Sequence, residues 1–293
     1  MAIATTSTVR TVDTPHGQVR LIDTGGSGTP VLLVHALLTD PDFYAALAPV
    51  LVARGHRCLI PELPLGAHGV PLREGADLSP PGLARLLVEV LDALDVPRVH
   101  VVGVDTGGAL TQILMAQHRD RVDHVVLTAC DAYDAFPPSS FGWLVPPLRL
   151  PGALWLTGQS ARLGVARRLA NLRLLTHRGV DDAVLRRWTA PLRTAGVRRD
   201  LRAVLRHMHA RHTLAAAEAN RDFPRPVLVA WGEDDRAFPR RLGERLAADI
   251  PGARLVTLPD CAAFAAIDRP DLLVDLIHEH VDGHLTRTPA PGG

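Results

Sequence analysis

Short, nearly continuous apolar runs recur along the 293-residue chain: 30–35, 57–61, 99–104, 122–128, 226–230 and 254–258. Each is too short for a helix and reads as a strand, and the runs 30–35 and 57–61 suit strands buried on both sides. Between them, Phe43–Arg54, Gly82–Leu94, Gly107–His118, Arg240–Asp249 and Pro270–Val281 show helix-like apolar spacing. Strands alternating with helices predict an α/β fold with a mostly parallel sheet covered by helices on both faces. Ahead of them, Thr8–Asp13 and Gln18–Asp23 flank the turn Pro15-His16-Gly17 and read as a hairpin. Apolar residues make up 47 % of the chain, enough for a sizeable core.

Charge divides the chain into three. Residues 135–220 hold 14 arginines against four acids (Asp181, Asp182, Asp200 and Glu218). That block is net +10, which leaves the remainder at −9 for a chain of +1. The block has helical spacing at Leu169–Leu175 and Val197–Ala217, so it reads as an inserted helical cap. The expected organisation is a core of 1–134 and 221–293 around a cap of 135–220. A net charge near zero and arginines without interleaved aromatics argue against nucleic acid. Three scattered cysteines (Cys58, Cys130 and Cys261) fit neither a disulfide framework nor a zinc site, which predicts a reduced, cytoplasmic protein. No secretory leader or membrane span is legible, and residues 286–293 are expected to be disordered.

The chemistry concentrates at Gly103-Val104-Asp105-Thr106-Gly107-Gly108, where an apolar strand runs into a helix. Glycines there allow a sharp turn and close packing of helix on strand. The helix N-terminus favours a carboxylate at Asp105, and the Thr106 amide is free to bind developing negative charge. A simple helix cap is the plainer reading of the same aspartate.

These residues resemble the elbow of the α/β-hydrolase superfamily, in its aspartate-nucleophile branch of haloalkane dehalogenases and epoxide hydrolases. The resemblance runs over nearly the whole chain. Val34-His35-Ala36-Leu37 stands where that family carries its oxyanion loop. Glu62-Leu63-Pro64-Leu65-Gly66 resembles the Asp-x-Pro-Gly loop, and Trp231-Gly232-Glu233-Asp234-Asp235 the segment that supplies the triad acid. The cap sits at the position of the family's lid. The resemblance implies Asp105 as nucleophile, Asp235 as acid, Asp131 at an alternative acid position, and the amides of Leu37 and Thr106 as oxyanion hole.

Departures from the family matter as much. Leu258-Pro259-Asp260-Cys261-Ala262-Ala263-Phe264 aligns with a loop that normally carries Gly-His-Phe, so Ala263 stands at the histidine position. Without a histidine, hydrolysis of an alkyl-enzyme ester has no obvious water activator. The halide-binding tryptophan and asparagine are replaced by Thr106 and Leu37, and after Tyr133 the cap has no tyrosine for an epoxide oxygen. None of the other histidines is an evident substitute. His35 is expected to brace the oxyanion loop or touch substrate, and His68 lies in the loop after a neighbouring strand. His207, His209 and His212 are not spaced for a metal. Two acids set close together would be pushed apart in pKa, one acid and one base.

The expected function is therefore a cofactor-independent, metal-free enzyme with an incomplete triad. It would act by acid–base or templated isomerisation, cyclisation or carbon–carbon bond formation on a hydrophobic small molecule, as in bacterial natural-product biosynthesis. Trp143, Trp155, Trp188, Phe136 and Phe141 are candidates to line its cavity, or to pack the cap core. The alternatives are an epoxide- or halide-hydrolysing enzyme with an unrecognised base, and a binding protein that has kept the pocket. An acidic partner at the basic cap and a homodimer are both compatible with the sequence.

Overall fold

A computed structural model describes residues 7–160 and 174–283. Eight strands form one sheet: β1 Thr8–Thr14, β2 Gly17–Asp23, β3 Val31–Val34, β4 Cys58–Pro61, β5 Val99–Val104, β6 Val122–Cys130, β7 Val227–Gly232 and β8 Arg254–Leu258. Their spatial order is β1-β2-β4-β3-β5-β6-β7-β8. The β1/β2 and β2/β4 pairs are antiparallel and all others parallel. Every residue of β3, β4, β5 and β7 is buried, as their unbroken apolar runs require.

Helices α1 (Ala48–Ala53), α2 (Pro80–Asp92) and α3 (Asp105–Gln117) cover the sheet, joined later by Arg240–Asp249 and Pro270–Val281. Ser79 caps α2 by accepting the Gly82 amide at 3.2 Å, with Pro80 at the first helical position. Strand order reverses at β3/β5: from β3 the chain steps out to β4, then returns to β5 on the other side. Loops leaving the two strands part there, and the carboxyl ends of strands at such a reversal are where open α/β sheets bind their ligands.

Two expected helices are split. Phe43–Arg54 becomes a 3-10 turn, Pro41–Tyr44, followed by α1. Pro49 lies in the first turn of α1 and has no N–H to offer the preceding turn. Val197–Ala217 becomes Ala195–His207 and Ala210–Ala219, with Met208 and His209 extended between them. The Arg149 guanidinium occupies the Leu205 carbonyl, which a continuous helix would have offered to the His209 amide. Most of the expected helical stretch Leu169–Leu175, and the tail from 284 on, lie outside the described residues.

Candidate active site

Asp105 begins α3 directly after β5, with φ of +52°. A non-glycine residue held there is strained, and the surrounding packing maintains it. Gly107 shows how close that packing is. A Cβ at this position would lie 2.3 Å from the Val34 carbonyl and 2.6 Å from that of His35. The helix therefore presses against the loop that follows β3. As a result the Leu37 amide donates to Asp105 Oδ2 at 2.9 Å, and the Thr106 amide also donates to the carboxylate. The two amides expected to form an oxyanion hole thus hold the side chain itself. A carboxylate accepts about four hydrogen bonds, so lone pairs remain for a ligand.

Burial pushes the Asp105 carboxyl up to about 6, against the downward pull of the Leu37 and Thr106 amides. Asp131 follows β6 and lies beside the elbow, its amide reaching the Asp105 carbonyl at 3.4 Å. It is completely buried, and its Oδ2 accepts Thr106 Oγ1 at 3.3 Å while Oδ1 has no partner. Burial first, then the charge of Asp105, pushes its carboxyl well above the ordinary range.

Asp235 follows β7. Its Oδ1 accepts the amides of Ala237 (2.8 Å) and Phe238 (3.0 Å), but Oδ2 is buried and unpartnered. Burial pushes this carboxyl up to about 7; the two amides lower it and the charge of Asp105 adds a smaller upward push. Gly232 lets the loop after β8 close over the end of β7, since a Cβ there would lie 2.2 Å from the Ala262 carbonyl. That loop carries Ala263, fully buried. Among the described residues no histidine is hydrogen-bonded to Asp105 or Asp235. The site is a set of carboxyls held by neutral donors, with no cation paired to them among the described residues.

The remaining candidates are placed differently from one another. His35 is buried and serves the backbone: Nδ1 contacts the Ala36 carbonyl at 2.9 Å, and Nε2 accepts the Leu63 amide at 3.1 Å. It braces the loop after β3, one of the two roles expected of it. Trp188 is buried. Its indole N–H donates to Asp40 at 2.8 Å, and Arg187 Nε reaches the same carboxylate at 2.7 Å. Trp143 and Trp155 are 69 % and 45 % exposed and do not pack in the interior, whereas Phe136 is buried. His68 is buried against Asp200 at 3.3 Å.

Three buried acids that sequence reasoning passed over tie the helical segment between β6 and β7 to the rest of the fold. Asp40 holds Arg187 and Trp188. Asp200, from the cap helix Ala195–His207, takes His68 and the Leu72 amide (2.8 Å) of the core. Asp268 accepts Thr176 Oγ1 and the amides of His177 (2.9 Å), Arg178 (3.1 Å) and Ala262 (3.0 Å). Burial raises the Asp268 carboxyl, but these donors outweigh it and hold the group below its ordinary value. The only sequence signal was the acids' position in otherwise apolar or basic surroundings.

A family model described as the alpha/beta hydrolase fold matches residues 29–270. The chain belongs to that family. "Haloalkane dehalogenase 2" of Mycobacterium tuberculosis (strain ATCC 25618 / H37Rv) is 27 % identical over 282 residues, 92 % of this chain and 93 % of that protein. A "2-hydroxy-6-oxononadienedioate/2-hydroxy-6-oxononatrienedioate hydrolase" of Cupriavidus pinatubonensis (strain JMP 134 / LMG 1197) is 28 % identical over 269 residues, 88 % of each chain. The solved structure of the epoxide hydrolase CorEH superposes with a TM-score of 0.77 at 15 % identity, covering 95 % of this chain and 99 % of the other. No helix among the described residues is long and apolar enough to cross a membrane.

Proposed function

We propose that this chain is an enzyme of the alpha/beta hydrolase family that moves a proton on a hydrophobic small molecule instead of hydrolysing it. One observation carries the reading. Asp105 and Asp235 both carry raised carboxyls, Asp235 Oδ2 has no partner, and the fully buried Ala263 occupies the loop after β8. A carboxylate poised near 6 at the end of a crevice exchanges a proton at neutral pH. Asp131, its carboxyl pushed well above the ordinary range by burial and by the charge of Asp105, is the complementary acid. In this role Asp105 takes a proton from an acidic C–H or O–H. Asp131 returns a proton to another atom of the resulting anion, which completes an isomerisation, ring closure or carbon–carbon bond formation. No cofactor enters the step.

A second reading is an epoxide- or halide-opening hydrolase with Asp105 as nucleophile. The dehalogenase relative and the two amides that orient the Asp105 carboxylate favour it. Intact-protein mass after exposure to epoxides and alkyl halides separates the two, with Asp105→Asn as control. An adduct on the parent and not on the control identifies a working nucleophile and overturns the proton-transfer reading. The parallel arm incubates hydrophobic carbonyl compounds in D2O. Asp105-dependent deuterium uptake supports proton transfer, and no uptake across the panel together with no adduct leaves a binding protein.

A further inference from the structure

A second cluster lies at the opposite end of the sheet. His56 precedes β4, and His278 and Asp282 belong to the end of the last helix, Pro270–Val281, and its cap. His56 Nε2 and His278 Nδ1 are 2.9 Å apart, and His278 Nδ1 is 3.2 Å from Asp282 Oδ2. One ligand atom from each lies within 4.8 Å of the other two. His278 and Asp282 are four residues apart, so they share one helix face. Both histidines are partly buried and Asp282 is exposed, so the cluster is anchored on the protein side and open to solvent.

Hydrogen bonding satisfies this arrangement poorly. If His278 Nδ1 carries a proton, two acceptors compete for it. If it does not, its lone pair faces a carboxylate. A cation between the three groups would accept all of these lone pairs at once. Ligands bound tetrahedrally at 2.0–2.2 Å lie about 3.3 Å from one another, close to the observed spacings. Arg54, the nearby cation, is paired with Asp275.

We infer that His56, His278 and Asp282 form a binding site for a borderline divalent transition-metal ion, zinc being the first choice for two imidazoles and a carboxylate. Hard cations such as magnesium prefer all-oxygen sites. The site would tie the turn after α1 to the last helix, two segments 222 residues apart. It lies away from Asp105 and does not depend on the proposed chemistry.

The test uses the full chain without an affinity tag, stripped with chelator, then titrated with Co2+ and Zn2+. One equivalent of Co2+ should give a visible d–d spectrum that Zn2+ displaces. His56→Gln and Asp282→Asn should each weaken binding by about 100-fold or more. Zinc at 100 times its Kd should raise Tm by about 4 °C in the parent and not in the variants. Unchanged affinity in both variants would place the metal elsewhere, the cap trio His207, His209 and His212 being the rival, and overturn the assignment. Weak uptake of several equivalents with no rise in Tm would also overturn it.

Discussion

Asp235 should destabilise the protein that carries it. Its carboxyl lies at about 7 in the fold against 3.8 as a model compound, and one buried oxygen has no partner. A carboxyl raised by folding binds its proton more tightly in the native state. The penalty is therefore absent below the unfolded value, grows as pH rises toward 7, and is complete above it. At 1.36 kcal/mol per pKa unit the full difference is about 4 kcal/mol at pH 8. Partial access of the side chain to water halves this to about 2 kcal/mol. Asp235→Asn removes the charge and keeps an oxygen for the amides of Ala237 and Phe238. The variant should melt about 3 °C higher than the parent at pH 8 and only about 1 °C higher at pH 5. Differential scanning calorimetry across that range, with buffer ionisation matched, measures it. A variant that is less stable at pH 8, or a gain that does not shrink on acidification, would refute the claim that Asp235 is held charged at a cost.

Other consequences of the structure are equally direct. Asp268→Ala strips the partner from three amides and a hydroxyl at once, at about 3 kcal/mol or more, and should expose Thr176–Arg178 to limited proteolysis before global unfolding. Gly107→Ala drives a Cβ into the backbone oxygens of β3 and the oxyanion loop, neither of which can yield as a side chain would. It should abolish soluble expression or cost about 3 kcal/mol or more, read by urea unfolding. His100 and His280 are buried neutral, with burial and the neighbouring His124 holding each at about 4. The unfolded chain binds those protons first, so stability is full above about pH 6.5 and falls as pH drops toward 4, by at most about 3 kcal/mol for each group. His280→Leu should flatten that acid slope relative to the parent, and an unchanged slope would show that other groups set it.

The strands at the centre of the sheet were legible because they are buried on both faces. Val31–Val34 and Val99–Val104 could be nothing else at that length and apolarity. The elbow was legible for a related reason, since few sequences allow an α-carbon at φ of +52° between a buried strand and a helix touching its neighbour's carbonyls. The cap was read as helical but its attachments were not. A helical pattern reports which face is apolar and cannot show that Trp188 donates to an acid 148 residues earlier. Aromatic side chains with a polar handle pack and hydrogen-bond at once, so the bias of tryptophans toward the cap did not distinguish a cavity wall from a latch. The break at Met208 was equally hidden, because it depends on Arg149 reaching a carbonyl 56 residues away.

The energetics of the three carboxyls bear on which functional reading to favour. Asp105, Asp131 and Asp235 are all pushed up by burial, none is paired with an arginine among the described residues, and two of them leave a buried oxygen without a partner. Elsewhere the same chain treats buried acids differently: Asp200 and Asp268 are surrounded by donors and held below their ordinary values. The fold is therefore able to neutralise an acid, and at the end of β5, β6 and β7 it does not. A protein that had kept this crevice only for packing would gain several kcal/mol from an amide or an apolar residue at these positions. Raised carboxyls gathered in one place are what an acid–base site requires. An acid–base site fits these three carboxyls better than an inert pocket does, and the deuterium-uptake and adduct measurements decide which bond the proton serves.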